Sequence, residues 1–331
     1  MFLTAEIAGL QPAAILFAAL VIDAVFGEFG PLFRIIPHPV AIVGGLIGWL
    51  ERRLNRLQHG VRTRVVRGFV VVLLMLVLSA AAGWYLAALA RAIPFGWAVE
   101  LGAVTLLVAQ RSLFDHVLAV ARALSRGGIE AGREAVARIV GRDPGTLNEH
   151  AVARASIESL AENFADGVVA PVFWYLLFGL SGLFVYKTVN TMDSMIGYRT
   201  ERYAAFGMCA AWLDDALNLV PARIAAMLIV AASLFVPRGK PVAALRVALR
   251  DGRKHRSPNA GWPEAAMAGG LGVALAGPRA YDGKTEDEPW LGGEFSARVG
   301  VTDIRRALYL FAVACLLDAL IVALVASLAL A

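Results

Sequence analysis

Four separated runs of this chain concentrate side chains that bind cations, phosphates or protons. In AVARASIESLAENFADG, Arg154, Glu158, Glu162 and Asp166 are spaced four apart, so on a helix they share one slowly drifting stripe. Like charges at this spacing cost roughly a few tenths of a kcal/mol per pair in water, and more beside a bilayer. The stripe reads either as a solvated face with Arg154 pairing Glu158, or as a carboxylate cluster for Mg²⁺. That ion is held by one or two carboxylates plus substrate phosphates, and Asn163 adds an uncharged oxygen.

In YKTVNTMDSMIGYRTERY, Lys187, Asn190 and Ser194 recur at helical spacing with Asp193 beside them, directly after an apolar run. A lysine there can be a snorkelling anchor, but the density of Asn, Asp, Ser and Tyr198 around it favours a site. In WLDDALNLVPAR, Asp214 and Asp215 open another apolar run, with Asn218 one turn on and Arg223 beyond Pro221. Acids at a helix start are stabilised by its dipole, yet ionisable groups at membrane depth are costly and functional by default. RDGRKHRSPNAGWPEA gathers Arg250, Arg253, Lys254, His255 and Arg256 before Ser257 and Asn259. Such a run clamps phosphates through charge-assisted hydrogen bonds or binds lipid headgroups; the Ser-Pro-Asn turn, Trp262 and Glu264 favour a shaped site.

Other motifs fail on spacing. GPRAYDGKT at 277–285 has five residues between its glycines where a P-loop has four, and no apolar strand leads into it. The five histidines include no pair at metal spacing, and Cys209 and Cys315 suggest buried thiols rather than a disulfide framework or zinc site.

The elements that must position these residues are membrane helices. Of 331 residues, 59% are hydrophobic and 17% charged, against about 45–50% and about 25% in soluble domains. Runs 68–93, 168–186, 216–236 and 306–330 are long enough to span, and 7–26 and the shorter 95–110 are further candidates. No Lys or Arg precedes Arg34, so the first segment reads as a retained helix rather than a secretory leader. The sequence therefore predicts an all-α polytopic membrane protein of five to six membrane helices, forming a single integral membrane domain over 1–331.

The net charge of +5 is carried mostly by arginine. Without aromatic interleaving it points to loops beside anionic lipid and not to nucleic acid. The basic segments 52–67, 111–167 and 237–305 are expected in the cytoplasm. Within them, 112–167 reads as two or three amphipathic helices interrupted at its glycines, and 250–300 as an ordered Gly/Pro-rich loop around a short apolar helix near 264–276. If 168–186 and 216–236 both cross fully, the loaded segment 187–215 lies outside; Pro171, Gly179 and Gly182 instead suggest a broken or re-entrant first span.

In this order, His38-Pro39-Val40, SIESLAENFADGVVAP, YKTVNTMDSMIGYR, WLDDALNLVPAR and HRSPNAGWPEA resemble the adenosylcobinamide-phosphate synthase family of cobalamin biosynthesis (CobD/CbiB), from Asp23 to the last helix. Where the family has Gly-Asp-Pro near the N-terminus, this chain has Gly27-Glu28-Phe29. The resemblance implies a bacterial inner-membrane enzyme with its active site on the cytoplasmic face. It would join the free propionate of adenosylcobyric acid to (R)-1-aminopropan-2-ol or its O-phosphate, using ATP and Mg²⁺.

Carried onto matching positions, this assigns Glu158, Glu162, Asp166, Asp214 and Asp215 to Mg²⁺, and Lys187, Asn190, Asp193, Ser194 and Asn163 to catalysis. Asn218, Arg223, Arg253, His255, Ser257 and Asn259 would bind the nucleotide or anionic substrate groups. Implied partners are the corrinoid, the aminopropanol compound and membrane lipid. Association with other late cobalamin-pathway membrane enzymes and self-association are both compatible with this reading. Two alternatives stand beside it: a non-enzymatic signalling protein like AmpE, disfavoured by the intact acidic and Ser-Pro-Asn motifs, and a transporter, disfavoured by the absence of an internal repeat.

Overall fold

A computed structural model describes residues 11–27, 37–141, 144–281, 284–286 and 288–330. Glu28 and the start of the 7–26 run lie outside the described residues. The helices are α1 (Pro12–Phe26), α2 (Pro39–Leu54), α3 (Val61–Ala92), α4 (Trp97–Leu107), α5 (Gln110–Val136), α6 (Glu149–Phe164), α7 (Ala170–Ile196), α8 (Met208–Ala232), α9 (Pro241–Asp251), α10 (Gly261–Leu271) and α11 (Val301–Leu330). A π-turn, Ala165–Val169, joins α6 to α7.

Among the described residues, five helical stretches are long and apolar enough to cross a bilayer: Val61–Ala92, Trp97–Val136, Glu149–Ile196, Met208–Ala232 and Val301–Leu328. Phe69, Leu73, Val77 and Trp84 of α3, and Leu316, Leu320, Leu324 and Leu328 of α11, are exposed, as apolar faces are when the solvent is lipid. The chain is a multi-pass helical membrane protein. The expected span at 95–110 is helical only over α4, because Val108 is extended (φ −98°, ψ 142°). Eleven residues rise about 16 Å, roughly half the hydrocarbon thickness, so span length is reached only with α5 included.

The fold divides into two compact units: Met1–Val108 with Ala170–Asn218 and Val322–Ala331, and Ala109–Val169 with Leu219–Ile321. In the first unit, Ile47, Val71, Val72, Met75, Val189, Met192, Ile196 and Phe206 pack α2, α3, α7 and the α7–α8 loop into one core. Helix contacts in membranes rely on small residues that let backbones approach. A Cβ on Gly83 would lie 2.6 Å from Ser181 Cα and 2.7 Å from Leu180 C, so α3 and α7 touch there backbone to backbone. Buried Glu100 of α4 accepts a 2.6 Å hydrogen bond from the Tyr175 hydroxyl of α7.

Helix α7 is broken at Gly179 (φ 63°, ψ −149°), a conformation essentially reserved for glycine, as expected from the Pro171-Gly179-Gly182 pattern. Its first half carries exposed Leu177 and Phe178, and its second half carries Tyr186 to Ser194.

In the second unit, α5 is the expected amphipathic helix, with a break at Gly128 (φ 71°), whereas α6 is not amphipathic, because Val152 to Ala161 are buried on nearly every side. Phe164 and Phe311 pack edge to face, with ring centres 5.6 Å apart. Helix α10 is the predicted short apolar helix; a Cβ on Gly269 would meet Ala243 O at 2.5 Å, so α9 and α10 are in tight contact. The Gly/Pro-rich segment is ordered by four short strands: β1 (Leu275–Ala276), β2 (Arg279–Tyr281), β3 (Lys284–Glu286) and β4 (Trp290–Leu291). They pair antiparallel as β1 with β4 and β2 with β3.

Candidate functional site

In the first unit, the second half of α7 and the start of α8 bring predicted residues together. Asp214 is nearly buried; its Oδ2 accepts from Asn218 Nδ2 at 3.0 Å, and its Oδ1 from Asn190 Nδ2 at 3.5 Å. The fully buried Tyr186 hydroxyl donates to Asn218 Oδ1 at 3.0 Å, fixing the amide so that its N–H faces the acid. Asp193 and Asp215 are close enough to repel each other, and Asp214 feels both.

These are three buried or half-buried carboxylates on two helices, of which Asp214 is held by the Asn190 and Asn218 amides, and their hard oxygen atoms are the donor type that Mg²⁺ takes. Lys187 is half-buried one turn before Asn190. Ser194 is exposed, and its hydroxyl donates to Asn190 O at 2.9 Å.

The α7–α8 loop is clamped from below by residues that no motif marked. Arg202 forms a bidentate pair with buried Glu51 of α2, both contacts at 2.9 Å. Asn55 donates to Glu51 Oε1 (3.0 Å) and to Arg202 O (2.8 Å). Buried Arg64 of α3 donates to Asn55 Oδ1 (3.0 Å), Glu201 O (3.1 Å) and Arg202 O. Burial opposes the charge on Glu51, but the hydrogen bonds from Arg202 and Asn55 hold its carboxyl below the usual range. The clamp fixes the loop carrying Arg199, whose guanidinium acts electrostatically on Asp215.

Gly197 is part of the same geometry: a Cβ there would overlap Asp193 Oδ1 and lie 2.7 Å from Asp193 O. A Gly197→Ala substitution should therefore push the Asp193 carboxylate aside. Displacements near 1 Å can cost about a hundredfold in rate, so turnover is expected to fall at least about tenfold while the protein still folds, measured by steady-state assay beside thermal unfolding.

The remaining predicted residues belong to the second unit. Glu158 is buried and accepts the Ala276 N–H at 2.7 Å, tying α6 to β1. Arg154 donates to Ala297 O (2.7 Å) and lies over the Trp290 ring (5.4 Å). Glu162 and Asn163 are exposed, with Asn163 Nδ2 donating to Ser159 O at 2.9 Å. Asp166 sits in the π-turn, which interrupts the four-residue stripe expected of a regular helix. The five carboxylates expected around Mg²⁺ thus divide between the units, and among the described residues no three His, Cys, Asp or Glu side chains form a ready-made metal cage.

The cationic loop is sorted by Asp251, itself nearly inaccessible. Its carboxylate accepts two bonds from Arg250 (2.8 and 2.6 Å), an ion pair from Lys254 (2.7 Å) and the Gly292 N–H (2.9 Å). Arg250 also reaches Glu294 at 2.7 Å. Those two cations are structural.

Arg223 and Arg253 instead lie against the Trp262 ring at 4.7 and 5.9 Å, and Arg223 Nη1 donates to Asn259 Oδ1 at 2.7 Å. Ser257 Oγ accepts from the N–H groups of Asn259 and Ala260, both at 3.2 Å, shaping the entry to α10. His255 Nδ1 accepts the Ser257 N–H (3.1 Å), which leaves the proton of a neutral ring on Nε2, 4.0 Å from Glu264 Oε1.

Known proteins match the sequence over most of its length. A family profile described as CobD/Cbib protein covers residues 16–311. The chain is 50% identical over 304 residues to the cobalamin biosynthesis protein CobD of a Sinorhizobium species, spanning 91% of this chain and 94% of that one. Identity is 48% over 304 residues to the CobD of Rhizobium meliloti strain 1021, covering 91% and 93%. For the CobD of Rhodobacter capsulatus it is 46% over 290 residues, covering 85% and 87%. No solved structure matches the chain.

Proposed function

This chain belongs to the CobD/CbiB family of cobalamin biosynthesis proteins, and on that premise we propose that it is an ATP- and Mg²⁺-dependent amide-forming ligase. Its substrates are the free propionate of adenosylcobyric acid and (R)-1-aminopropan-2-ol or its O-phosphate. A carboxylate does not condense with an amine in water. One of its oxygens must first take a phosphoryl or adenylyl group from the nucleotide, and it leaves with that group as the amine nitrogen adds and gives up a proton.

The observation that carries this reading is the Asp193–Asp214–Asp215 group with Asn190, Asn218 and Tyr186. Mg²⁺ would supply charge neutralisation to nucleotide phosphates. These carboxylates would hold it, Asn190 and Asn218 orient Asp214, and Tyr186 orients Asn218. In the second unit, the Arg223–Trp262–Arg253 group supports binding of anionic substrate groups through guanidinium hydrogen bonds. Inner-membrane location and a cytoplasmic catalytic face belong to the same proposal.

The test is direct: purified protein in detergent, supplied with both organic substrates, should form the amide only when ATP and Mg²⁺ are present. Amide formation without nucleotide, or none under any combination of substrates, would refute the ligase reading.

A further inference from the structure

The amphipathic helix α9 presents a surface that neither the fold nor the proposed site uses. Residues 233–240 alone separate it from the membrane-length helix α8. One face is consumed by packing: Ala244, Val247, Ala248 and Asp251 are buried, and the α10 backbone meets Ala243 and Ala244 at Gly269. The opposite face carries Val242 (71% exposed), Leu245 (37%) and Leu249 (60%), at spacings of three and four, so they form one stripe.

Arg246 flanks that stripe, exposed, and among the described residues makes no hydrogen bond or ion pair. Arg250 follows on the same edge, with its guanidinium already held by Asp251 and Glu294. A short apolar arc opposite the packed face, edged by arginines and placed just after a span, has the anatomy of a helix lying in a membrane interface. The charge along its edge selects the occupant, since guanidinium groups beside a bilayer favour anionic headgroups.

We infer that α9 is an in-plane anchor whose Val242–Leu245–Leu249 stripe enters the acyl region of an anionic phospholipid surface, with Arg246 at the level of the phosphates. The inference is independent of the ligase reading. It rests on Val242, Leu245, Arg246 and Leu249, which have no part in the proposed chemistry, and its test does not read activity.

The full-length protein, with Cys209→Ser and Cys315→Ser, would carry one nitroxide at Leu249→Cys or, separately, at Val242→Cys. It is reconstituted into vesicles of phosphatidylcholine with or without phosphatidylglycerol. Spin relaxation by oxygen, which concentrates in lipid, is compared with relaxation by a water-soluble nickel chelate. With phosphatidylglycerol present, both labels should collide with oxygen and lose contact with nickel. Omitting that lipid, or adding Arg246→Gln, should lower the immersed-to-exposed ratio, by roughly fivefold for the single arginine.

Both label sites are exposed, so neither substitution disturbs packing, and each checks the other. Nickel access in every vesicle would overturn the anchor. So would shielding from both reagents, which would mean a protein cover such as a second copy. Equal immersion with and without phosphatidylglycerol would overturn the selection for anionic lipid.

Discussion

Replacing Asp214 with Ala should lower amide-forming turnover by about a hundredfold or more, the scale seen when one preorganised electrostatic group is removed from an active site, without destabilising the protein. The two halves of this expectation have one cause. Asp214 is nearly buried beside Asp193 and Asp215, so the apo fold carries repulsion that the hydrogen bonds from Asn218 and Asn190 only partly offset.

Deleting one carboxylate relieves that repulsion but leaves the buried Asn218 N–H without its acceptor, so the unfolding temperature in detergent should change little. The same deletion removes an anionic ligand for a hard cation, so residual turnover should need more Mg²⁺. Full activity at the wild-type Mg²⁺ requirement would exclude Asp214 from the site. Lost activity with a lowered unfolding temperature would reassign it to the fold.

The largest effect on stability is expected at Asp251. Asp251→Ala leaves Arg250 and Lys254 without their shared partner and orphans the Gly292 N–H at the β4 turn. Breaking a buried pair by removing one member costs about 3–5 kcal/mol. Because both cations are nearly half exposed, a value of roughly 3 kcal/mol is expected, measurable as denaturant unfolding of the reconstituted protein.

The pH dependence has a definite sign. Burial disfavours the charged carboxylate, but Arg250, Lys254 and the Gly292 N–H outweigh it and hold the group well below the usual range. Its contribution is therefore complete above the unfolded value near 4 and is lost only as pH falls toward the lower folded value. Wild type and variant should differ most at neutral pH and converge in strong acid; a gap that widened on acidification would contradict this.

Much of this was legible because it is local. Membrane spans announce themselves by length and hydropathy, and Gly179 by its place among Pro171 and Gly182 in an apolar run. Residue type marks Asn190 with Asp193, and Asp214 with Asn218, in two separate runs; only the family resemblance puts the two runs in one site, and the structure bonds Asn190 and Asn218 to Asp214.

What escaped was pairing at a distance. Glu51 meets Arg202 across 151 positions, and neither lies in a run that signals its partner. Asp251 read as one more member of a charged stretch, when its burial makes it the organiser of that stretch. The π-turn is invisible to a four-residue spacing count, which assumes an unbroken helix through Asp166. Strands of two or three residues have no period to detect.

In an unbroken helix, each inserted residue turns everything downstream by about 100°. The discontinuity at Gly179 severs that linkage within α7. The azimuth of Tyr175, which bonds Glu100, and that of Tyr186, Asn190 and Asp193 are therefore set separately on the two sides of the break.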